Sequence, residues 1–257
     1  MNTNMKLTGK QEYLITYSGL SVSLLLCLLA IFGLILSGCS RENIHGSGRV
    51  ITEERPVDRF EDLTIDGSLE VHVKQGAPLP LRIEAEDNVM RVIETSVSGT
   101  NLRIKIRNGV NLKGIRPIHV YVQSEKYRRI IFSGSGSLTG TDTIRTPLLT
   151  YEVNGSNDAN LKVDANEVRV IVNGSGNIDL EGLTKDYDAE INGSGDVKGE
   201  KLQANNAHVE TNGSGEQRIW ATDKLWGHIS GSGNVKYKGS PASLNVTVSG
   251  SGRVSKL

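Results

Sequence analysis

The sequence predicts an all-β protein: a right-handed parallel β-helix, or β-solenoid, with coils of roughly 19 residues and a less regular β-rich N-terminal part. One short turn, spelled NGSG, SGSG or NGSN, recurs from residue 133 to residue 252. Before each turn, apolar and polar residues alternate, which is the pattern of a strand with one buried face. The 257 residues include 29 glycines and only 5% aromatics, which suits a long, thin, turn-rich β-protein.

The first glycine of each turn gives the period, and the intervals between these glycines are 21, 19, 19, 20, 18 and 19 residues. A fixed period of this length is typical of a solenoid. Hairpins would reverse the strand direction at every turn and would not repeat one turn at this interval. Parallel crossovers are right-handed by strong preference, so the helix is predicted to be right-handed. The glycines are Gly134, Gly155, Gly174, Gly193, Gly213, Gly231 and Gly250.

Positions at even distances before each glycine are mostly apolar, which predicts that they face inward. Four residues after the glycine, six of seven positions are also apolar, which predicts a second short strand leaving the turn. Gln217 is the exception, and Ile219 is expected to take its inward place. The residues two positions before the glycines are Phe132, Val153, Val172, Ile191, Thr211, Ile229 and Val248.

The turn itself is interpreted as one corner of the coil, repeated on every level. Glycine allows backbone angles that are closed to other residues. In one turn Asn157 replaces the second glycine, and we expect it to adopt a left-handed conformation, which asparagine tolerates. Stacked corners would align like polar side chains about 4.8 Å apart, close enough for hydrogen bonds between copies.

The chain divides into a regular and an irregular part. Residues 128–257 carry the regular β-helix repeats, whereas residues 49–127 are predicted to form irregular first coils or a β-rich cap. Asp66-Gly67-Ser68 and Ser98-Gly99-Thr100 both resemble the same corner. A solenoid needs a cap because its end level exposes unpaired backbone. At the C-terminal edge, Arg253 and Lys256 either guard the last strand or leave it open to a partner.

Residues 1–38 are predicted to be a lipoprotein signal peptide. Lys6 and Lys10 precede an apolar run from 22 to 36, too short to cross a bilayer comfortably; an uncleaved anchor helix is the alternative. The run ends in Leu-Ser-Gly-Cys, which matches the bacterial lipobox. Cys39 is therefore the predicted lipidation site, and residues 39–48 are the predicted tether.

The predicted mature chain excludes several kinds of site and partner. Cleavage before Cys39 removes Cys27, so no disulfide or cysteine metal site remains. The 29 basic residues lose Lys6 and Lys10 and the 29 acidic residues lose Glu12, which leaves 27 against 28. This balance argues against nucleic acid as a partner. Lipid chains would instead hold the protein on the membrane, as an outer-membrane lipoprotein facing the periplasm or the cell surface.

No catalytic, cofactor or metal site emerges from the sequence, so the protein is predicted not to be an enzyme. His208 and His228 are expected to share an outward face without cysteines or acidic pairs at ligand spacing. Acidic residues follow several corners, as in β-helices that bind calcium, but we interpret them as solvated. They are Asp158, Asp179, Asp196 and Glu216.

Aromatic residues cluster near the C-terminal end. Trp220 and Trp226 lie within seven residues, and Tyr237 follows about one coil later. Such side chains either fill a corner of a thin core or stack on sugar rings from a solenoid flank. This flank is the predicted location for a glycan ligand.

The lipobox, the segment 46–76 (GSGRVITEERPVDRFEDLTIDGSLEVHVKQG) and the repeated corners resemble the head GIN domain family, a family of unknown function named after the head of an auto-transporter adhesin. The resemblance covers roughly residues 46–252, and its most specific features are Arg55-Pro56-Val57 to Phe60 and the corner series. It implies a β-helical fold and a cell-envelope location. The family has no established catalytic residues, so none is carried over.

Three functional hypotheses follow. The first is a lipid-tethered binding or adhesive module that presents a rigid surface to a glycan or a protein. The second is an envelope scaffold that self-associates through its C-terminal edge, which a proline within residues 244–248 would block. The third is a polysaccharide-cleaving enzyme, which depends on fold analogy alone.

Overall fold

The computed structural model describes residues 41–257, so the predicted signal peptide and the predicted lipidation site Cys39 lie outside the described residues. The described part is almost entirely β-structure with one short helix, α1 (Asp87–Met90). No helix among these residues is long and apolar enough to cross a membrane. The strands are β1 (Glu42–His45), β2 (Val50–Arg55), β3 (Asp62–Asp66), β4 (Leu69–Gln75), β5 (Leu81–Glu86), β6 (Ile93–Ser98), β7 (Asn101–Ile106), β8 (Val110–Lys113), β9 (His119–Ser124), β10 (Arg129–Gly174), β11 (Asn177–Gly193), β12 (Asp196–Gly213), β13 (Glu216–Gly231), β14 (Asn234–Lys238), β15 (Ser243–Gly250) and β16 (Arg253–Lys256).

The regular half is a stack of parallel coils, which confirms the predicted β-solenoid with coils of about 19 residues, and the stack has about 5 turns. Strands β10 to β13 each trace most of one or more coils and pair in parallel with the next. Ile178 lies beside Ala159 on one side and beside Val197 on the other. The period seen in the sequence is therefore the inter-coil register.

The predicted inward face is the core. Phe132, Val153 and Ile191 are fully buried. Gln217 was expected to yield its inward place to Ile219, but both side chains are fully buried. The Gln217 amide donates to the Glu210 carbonyl at 2.7 Å and to the Thr211 hydroxyl at 3.0 Å. A polar residue is tolerated inside because its donors find partners there.

The first glycine of each corner is required by both backbone angle and space. Gly193 has a φ of +145°, a conformation that side chains with a Cβ rarely adopt. A Cβ at this position would lie 2.2 Å from the carbonyl oxygen of Gly174 in the coil before it. Successive corners thus pack backbone against backbone, and no side chain fits between them.

The second corner glycine has a different role, and the expected left-handed conformation of Asn157 is wrong. No residue other than glycine has a positive φ among residues 41–257. Asn157 is instead fully buried, accepts a hydrogen bond from the Tyr151 hydroxyl at 2.8 Å and donates to the Phe132 carbonyl at 3.2 Å. Two coils later, a Cβ on Gly195 would lie 2.5 Å from the Gly176 carbonyl oxygen and 2.8 Å from the Val172 side chain. The second corner position therefore accepts glycine or a side chain that fits the core, and not a residue chosen for a left-handed backbone.

Polar ladders form at the corners, as predicted. The side chains of Asn154, Asn173, Asn192 and Asn212 occupy equivalent positions in successive coils. Each amide donates to the one before it, at 2.9, 3.0 and 3.0 Å. These bonds pair the amides with one another and add a side-chain contact to each of these three inter-coil steps.

The N-terminal half contains one corner of the repeat and one hairpin. Gly67 stacks on the solenoid, where its N–H donates to the Ser133 carbonyl at 2.9 Å, and β3 and β4 pair in parallel with β10. Gly99 was expected to form the same corner, but β6 and β7 are antiparallel with Ser98 opposite Asn101. Only two residues join these strands, and such short connections make hairpins.

Antiparallel strands end the stack at its N-terminal side. On one side, β7 pairs in parallel with β3 and antiparallel with β6. On the other side, β9 pairs in parallel with β4 and antiparallel with β5. Strand β5 in turn pairs antiparallel with β2. Arg55 joins the two sides, since its guanidinium donates to the Ile93 carbonyl at 2.7 Å and to the Met90 carbonyl at 3.3 Å. The Arg55 motif thus has a structural role.

The polar segment before β2 is held by side chains of α1 and the residue before it. Gly48 N–H donates to the Glu86 carboxylate at 2.6 Å, and Ser47 N–H donates to the Asn88 side chain at 3.2 Å. Strand β1 pairs with β8, where Asn111 donates to Asn43 at 2.9 Å. The residues predicted to form the tether therefore include a strand and a segment bound to the cap.

The last coil differs from the others in its exposure. Leu225 and Ile229 are fully buried in β13, but the equivalent Leu244 and Val248 in β15 are 46% and 40% exposed. Within the described chain, β15 and β16 pair only with β13 and β14, respectively. One edge of the C-terminal coil is thus open and partly apolar.

We expect Gly193→Ala to destabilise the solenoid by at least about 2 kcal/mol, because the unfavourable φ and the overlap with the Gly174 backbone add. The neighbouring Ser194→Ala is the control, since Ser194 is exposed and its change should stay within about 0.5 kcal/mol. Urea unfolding followed by circular dichroism measures both. Equal stability of the two variants would contradict the steric role assigned to the corner glycine.

Candidate functional site

An outward row of unlike side chains crosses the coils near the C-terminal end. The parallel register aligns Arg169, Asp188, His208 and Trp226 in successive coils, and we call them the Trp226 row. His208 Nδ1 lies 3.0 Å from the Asp188 carboxylate, and the His208 ring stacks on Trp226 with centroids 5.4 Å apart. Trp226 remains 41% exposed, so the row presents an aromatic surface on a rigid sheet.

The other two predicted flank residues have different surroundings. Trp220 lies between the buried Ile219 and Ala221 on β13 and is covered by Lys238, whose Nζ is 3.8 Å from the ring centroid. Tyr237 pairs with Ile219 in the register and packs against the core. Of the three predicted aromatics, Trp226 is the one that presents an exposed ring.

His208 and His228 share the outward face but lie in neighbouring rows. His228 is aligned with Glu210 and Thr247, and its Nδ1 lies 2.8 Å from the Thr247 hydroxyl. His208 lies 3.6 Å from Glu210. Each imidazole thus has protein partners of its own.

The acidic residues that follow the corners contact residues of the next coil. The Asp158 carboxylate accepts from the Asn177 N–H at 3.1 Å, and the Asp196 carboxylate accepts from the Glu216 N–H at 2.8 Å. Among residues 41–257, no group of three or more His, Cys, Asp or Glu side chains is arranged to hold a metal ion. Asp158 and Asp196 thus satisfy backbone N–H groups of the next coil. Asp179 and Glu216 instead lie 3.8 and 2.7 Å from lysines of the next coil, Lys198 and Lys236.

A second surface, which the sequence analysis missed, lies on the outward face of β5, β9 and β4. The register places Arg82 beside Tyr121 and Tyr121 beside His72. The rings of Tyr121 and His72 stack with centroids 4.8 Å apart, and the Arg82 guanidinium lies 3.7 Å above Tyr121. This is a cation–π arrangement extended by one imidazole.

The loop between β4 and β5 turns this face into a cavity of about 450 Å³. Pro78 and Pro80 restrict the loop backbone, and Gln123 ties it to β9 by donating to the Ala77 carbonyl at 2.7 Å. Leu79 at its tip is 54% exposed. We call this space the proline-walled cavity. Its other lining residues include Glu54, His72, Lys74, Arg82, Tyr121 and Thr141.

The two cations that line the proline-walled cavity, Arg82 and Lys74, differ in whether they form an ion pair. Arg82 forms an ion pair with Glu84, and Glu54 lies opposite Arg82 in the register. Within residues 41–257, no carboxylate forms an ion pair with the Lys74 ammonium. Burial, together with the neighbouring His119, lowers the pKa of His72 below its ordinary value. The lowered pKa favours the neutral imidazole of His72, which offers one donor and one acceptor.

The sequence contained a partial signal for this cavity. Alternation around His72 and Tyr121 marks both as outward strand positions, and Pro78-Leu79-Pro80 marks a stiff loop with an exposed apolar tip. That β9 lies between β4 and β5 is a property of the fold, since β9 is separated from β5 along the chain by α1 and three other strands.

A solenoid with outward rows and a lateral cavity belongs to the class of repeat proteins that present extended surfaces. The chain belongs to the family described as "Putative auto-transporter adhesin, head GIN domain", whose model matches residues 59–241. This confirms the resemblance inferred from the sequence, although Arg55 lies just before the matched range. The description points to an adhesive role at the bacterial cell envelope or surface.

Solved structures share the fold at low identity. A putative adhesin from Bacteroides fragilis NCTC 9343 is 21% identical with a TM-score of 0.79, covering 83% of this chain and 100% of that one. A "putative lipid binding protein" from Parabacteroides distasonis ATCC 8503 is 22% identical with a TM-score of 0.70, covering 84% and 100%. The comparison with curated proteins gives no match.

We expect Trp226 to be quenched by acrylamide more strongly than Trp220, because Trp226 is 41% exposed whereas Lys238 covers Trp220. The chain has 2 tryptophans, so Trp220→Phe and Trp226→Phe each leave one fluorophore. Stern–Volmer slopes of the two variants measure the difference, and denatured protein provides the reference in which the slopes converge. A larger slope for Trp220 would contradict the surface described above.

Proposed function

We propose that this protein is a non-catalytic cell-envelope lipoprotein, anchored by lipid on Cys39 in the outer membrane, whose solenoid presents a rigid binding surface to a glycan or a protein. The anchor rests on the Leu36-Ser37-Gly38-Cys39 lipobox. The adhesive role is consistent with the family description. The chain is held at its N-terminal side, and its outward rows are the surface offered to a ligand.

The observation that carries the proposal is the exposed Trp226 ring, held by His208 and, through it, by Asp188. An aromatic ring at a fixed position contributes a large contact area at low entropic cost, as aromatic anchors do at other interfaces. The underlying coils do not need to move to present it. This arrangement suits recognition of an extended ligand better than enclosure of a small substrate.

The binding test uses the full chain purified in detergent and screened against arrays of glycans and envelope proteins. We expect Trp226→Ala to weaken binding of the best ligand at least tenfold, about 1.4 kcal/mol, while Trp226→Phe retains most of it. Lys162→Ala, on an exposed lysine of an earlier coil, is the control. If Trp226→Ala folds and binds as the parent does, the Trp226 row is not the binding surface.

The location test is protease shaving of intact cells, with an epitope inserted near residue 40 and a periplasmic protein as control. Clipping of this protein while the control survives indicates an outward-facing lipoprotein. Protection until the outer membrane is broken would contradict surface adhesion and favour a periplasmic binding role.

The lipidation test replaces Cys39 by Ala, which should abolish labelling by a radioactive or clickable fatty acid. Persistent labelling would refute the assigned anchor.

A second candidate function is end-to-end assembly, favoured by the exposed Leu244 and Val248 on the open edge of β15. A strand with one unpaired edge and apolar side chains is a template for pairing with another chain. Sedimentation velocity of the full chain in detergent should then show concentration-dependent association. We expect Val248→Asp to remove it and Ser249→Asp, on an exposed outward position, to preserve it. A monomer at every concentration would eliminate this candidate.

A further inference from the structure

We propose that the proline-walled cavity is a binding site for an acidic saccharide, a sugar that carries a carboxylate, with Lys74 as the counter-ion. This inference rests on the proposed binding function and names the ligand class for a surface separate from the Trp226 row. It follows from the shape of the cavity, its charges and the hydrogen-bonding groups that line it.

The cavity is preformed. Its floor is a sheet in which β5 and β9 are each paired on both sides, and its wall is the proline loop held by Gln123. The base of the loop is also fixed, since Gln75 donates from its side chain to the Arg145 carbonyl at 2.8 Å and from its N–H to Asp142 at 3.1 Å. A volume of about 450 Å³ falls within the usual range for small-ligand sites, and a rigid site lowers the entropic cost of binding.

The charges favour one anionic group at one end of the ligand. The Arg82 guanidinium is already paired with Glu84 and stacked on Tyr121. The Lys74 ammonium is the cation in the cavity lining that has no ion pair among the described residues. A ligand carboxylate beside Lys74 would form a charge-assisted hydrogen bond. Glu54, which lines the cavity from β2, would repel a second anion and accept hydrogen bonds from hydroxyl groups.

The rest of the lining matches a sugar ring. Leu79 and Pro80 supply apolar contact, which suits the C–H faces of a sugar. The Tyr121 ring is stacked between His72 and Arg82 and holds both in place. Neutral His72 donates and accepts, and Gln123 keeps its carbonyl oxygen available because its amide nitrogen is bound to Ala77. Hydroxyl groups both donate and accept, so a polyhydroxylated ring can satisfy these side chains when it displaces water.

Two other ligand classes fit less well. A peptide recognised by strand addition needs a free sheet edge, whereas this cavity lies on the face of strands that are already paired. An acyl chain would bury Lys74, His72 and Gln123 against hydrocarbon and leave their polar groups without partners, which is costly. The mixed lining therefore favours a saccharide.

The test is calorimetric titration of the full chain in detergent with a panel of hexuronic acid oligosaccharides and with their neutral counterparts of the same linkage. We expect the acidic sugars to bind at least tenfold more tightly than the neutral ones, and more weakly as salt is raised. Lys74→Gln should remove this preference while leaving the affinity for neutral sugars unchanged, and Lys74→Arg should retain it. Lys185→Gln, on another exposed lysine, is the matched control.

Several results would overturn the assignment: no binding of any acidic sugar at millimolar concentration, equal affinity for acidic and neutral sugars, or no effect of Lys74→Gln. Lys74-dependent binding to anionic phospholipid vesicles without sugar binding would assign the site to a lipid headgroup instead. Trp226→Ala distinguishes failure of the acidic-saccharide site from failure of the proposed binding function. If Trp226→Ala abolishes ligand binding and Lys74→Gln does not, the binding module stands and the acidic-sugar site falls.

Discussion

The contact on which the regular half depends is the backbone-to-backbone packing of successive corner glycines. Gly193 sits on Gly174 with no room for a Cβ, so each coil is locked in register with the one before it. Every outward row then follows, because a fixed register places residues about one period apart side by side. Asp188 beside His208 and His208 beside Trp226 are consequences of this packing rather than independent features.

The thin core of the solenoid accommodates buried polar side chains. Asn157 and Gln217 both occupy inward positions, and each bonds to groups within the coil stack. In a wide globular core an amide would have few backbone partners within reach. Here the amide nitrogens of Asn157 and Gln217 lie near carbonyls of the coil stack, so these donors find partners.

The N-terminal end of the solenoid is capped, whereas its C-terminal coil is partly exposed, so the two ends are not equivalent. Antiparallel strands and the Arg55 contacts close the N-terminal side, and the segment that follows the proposed anchor is bound there through Gly48 and Glu86. The C-terminal coil exposes Leu244 and Val248. The proline-walled cavity lies in the N-terminal half, whereas the Trp226 row lies nearer the C-terminal edge. If both proposed surfaces bind ligands, the solenoid would make two kinds of contact at separate positions along its stack.

The sequence by itself determined the solenoid, its period, its inward face and its asparagine ladder, because each is a local pattern repeated at a constant interval. The sequence left open whether Trp226 fills a corner of the core or faces outward, and the structure places its ring on the surface. Only the tertiary structure decided that Gly99 forms a hairpin, that Asn157 faces the core and that β9 lies between β4 and β5, which brings Tyr121 between His72 and Arg82. Those outcomes depend on which distant strands become neighbours, and strand order outside a repeat is set by packing of the whole chain rather than by the residues of any one segment.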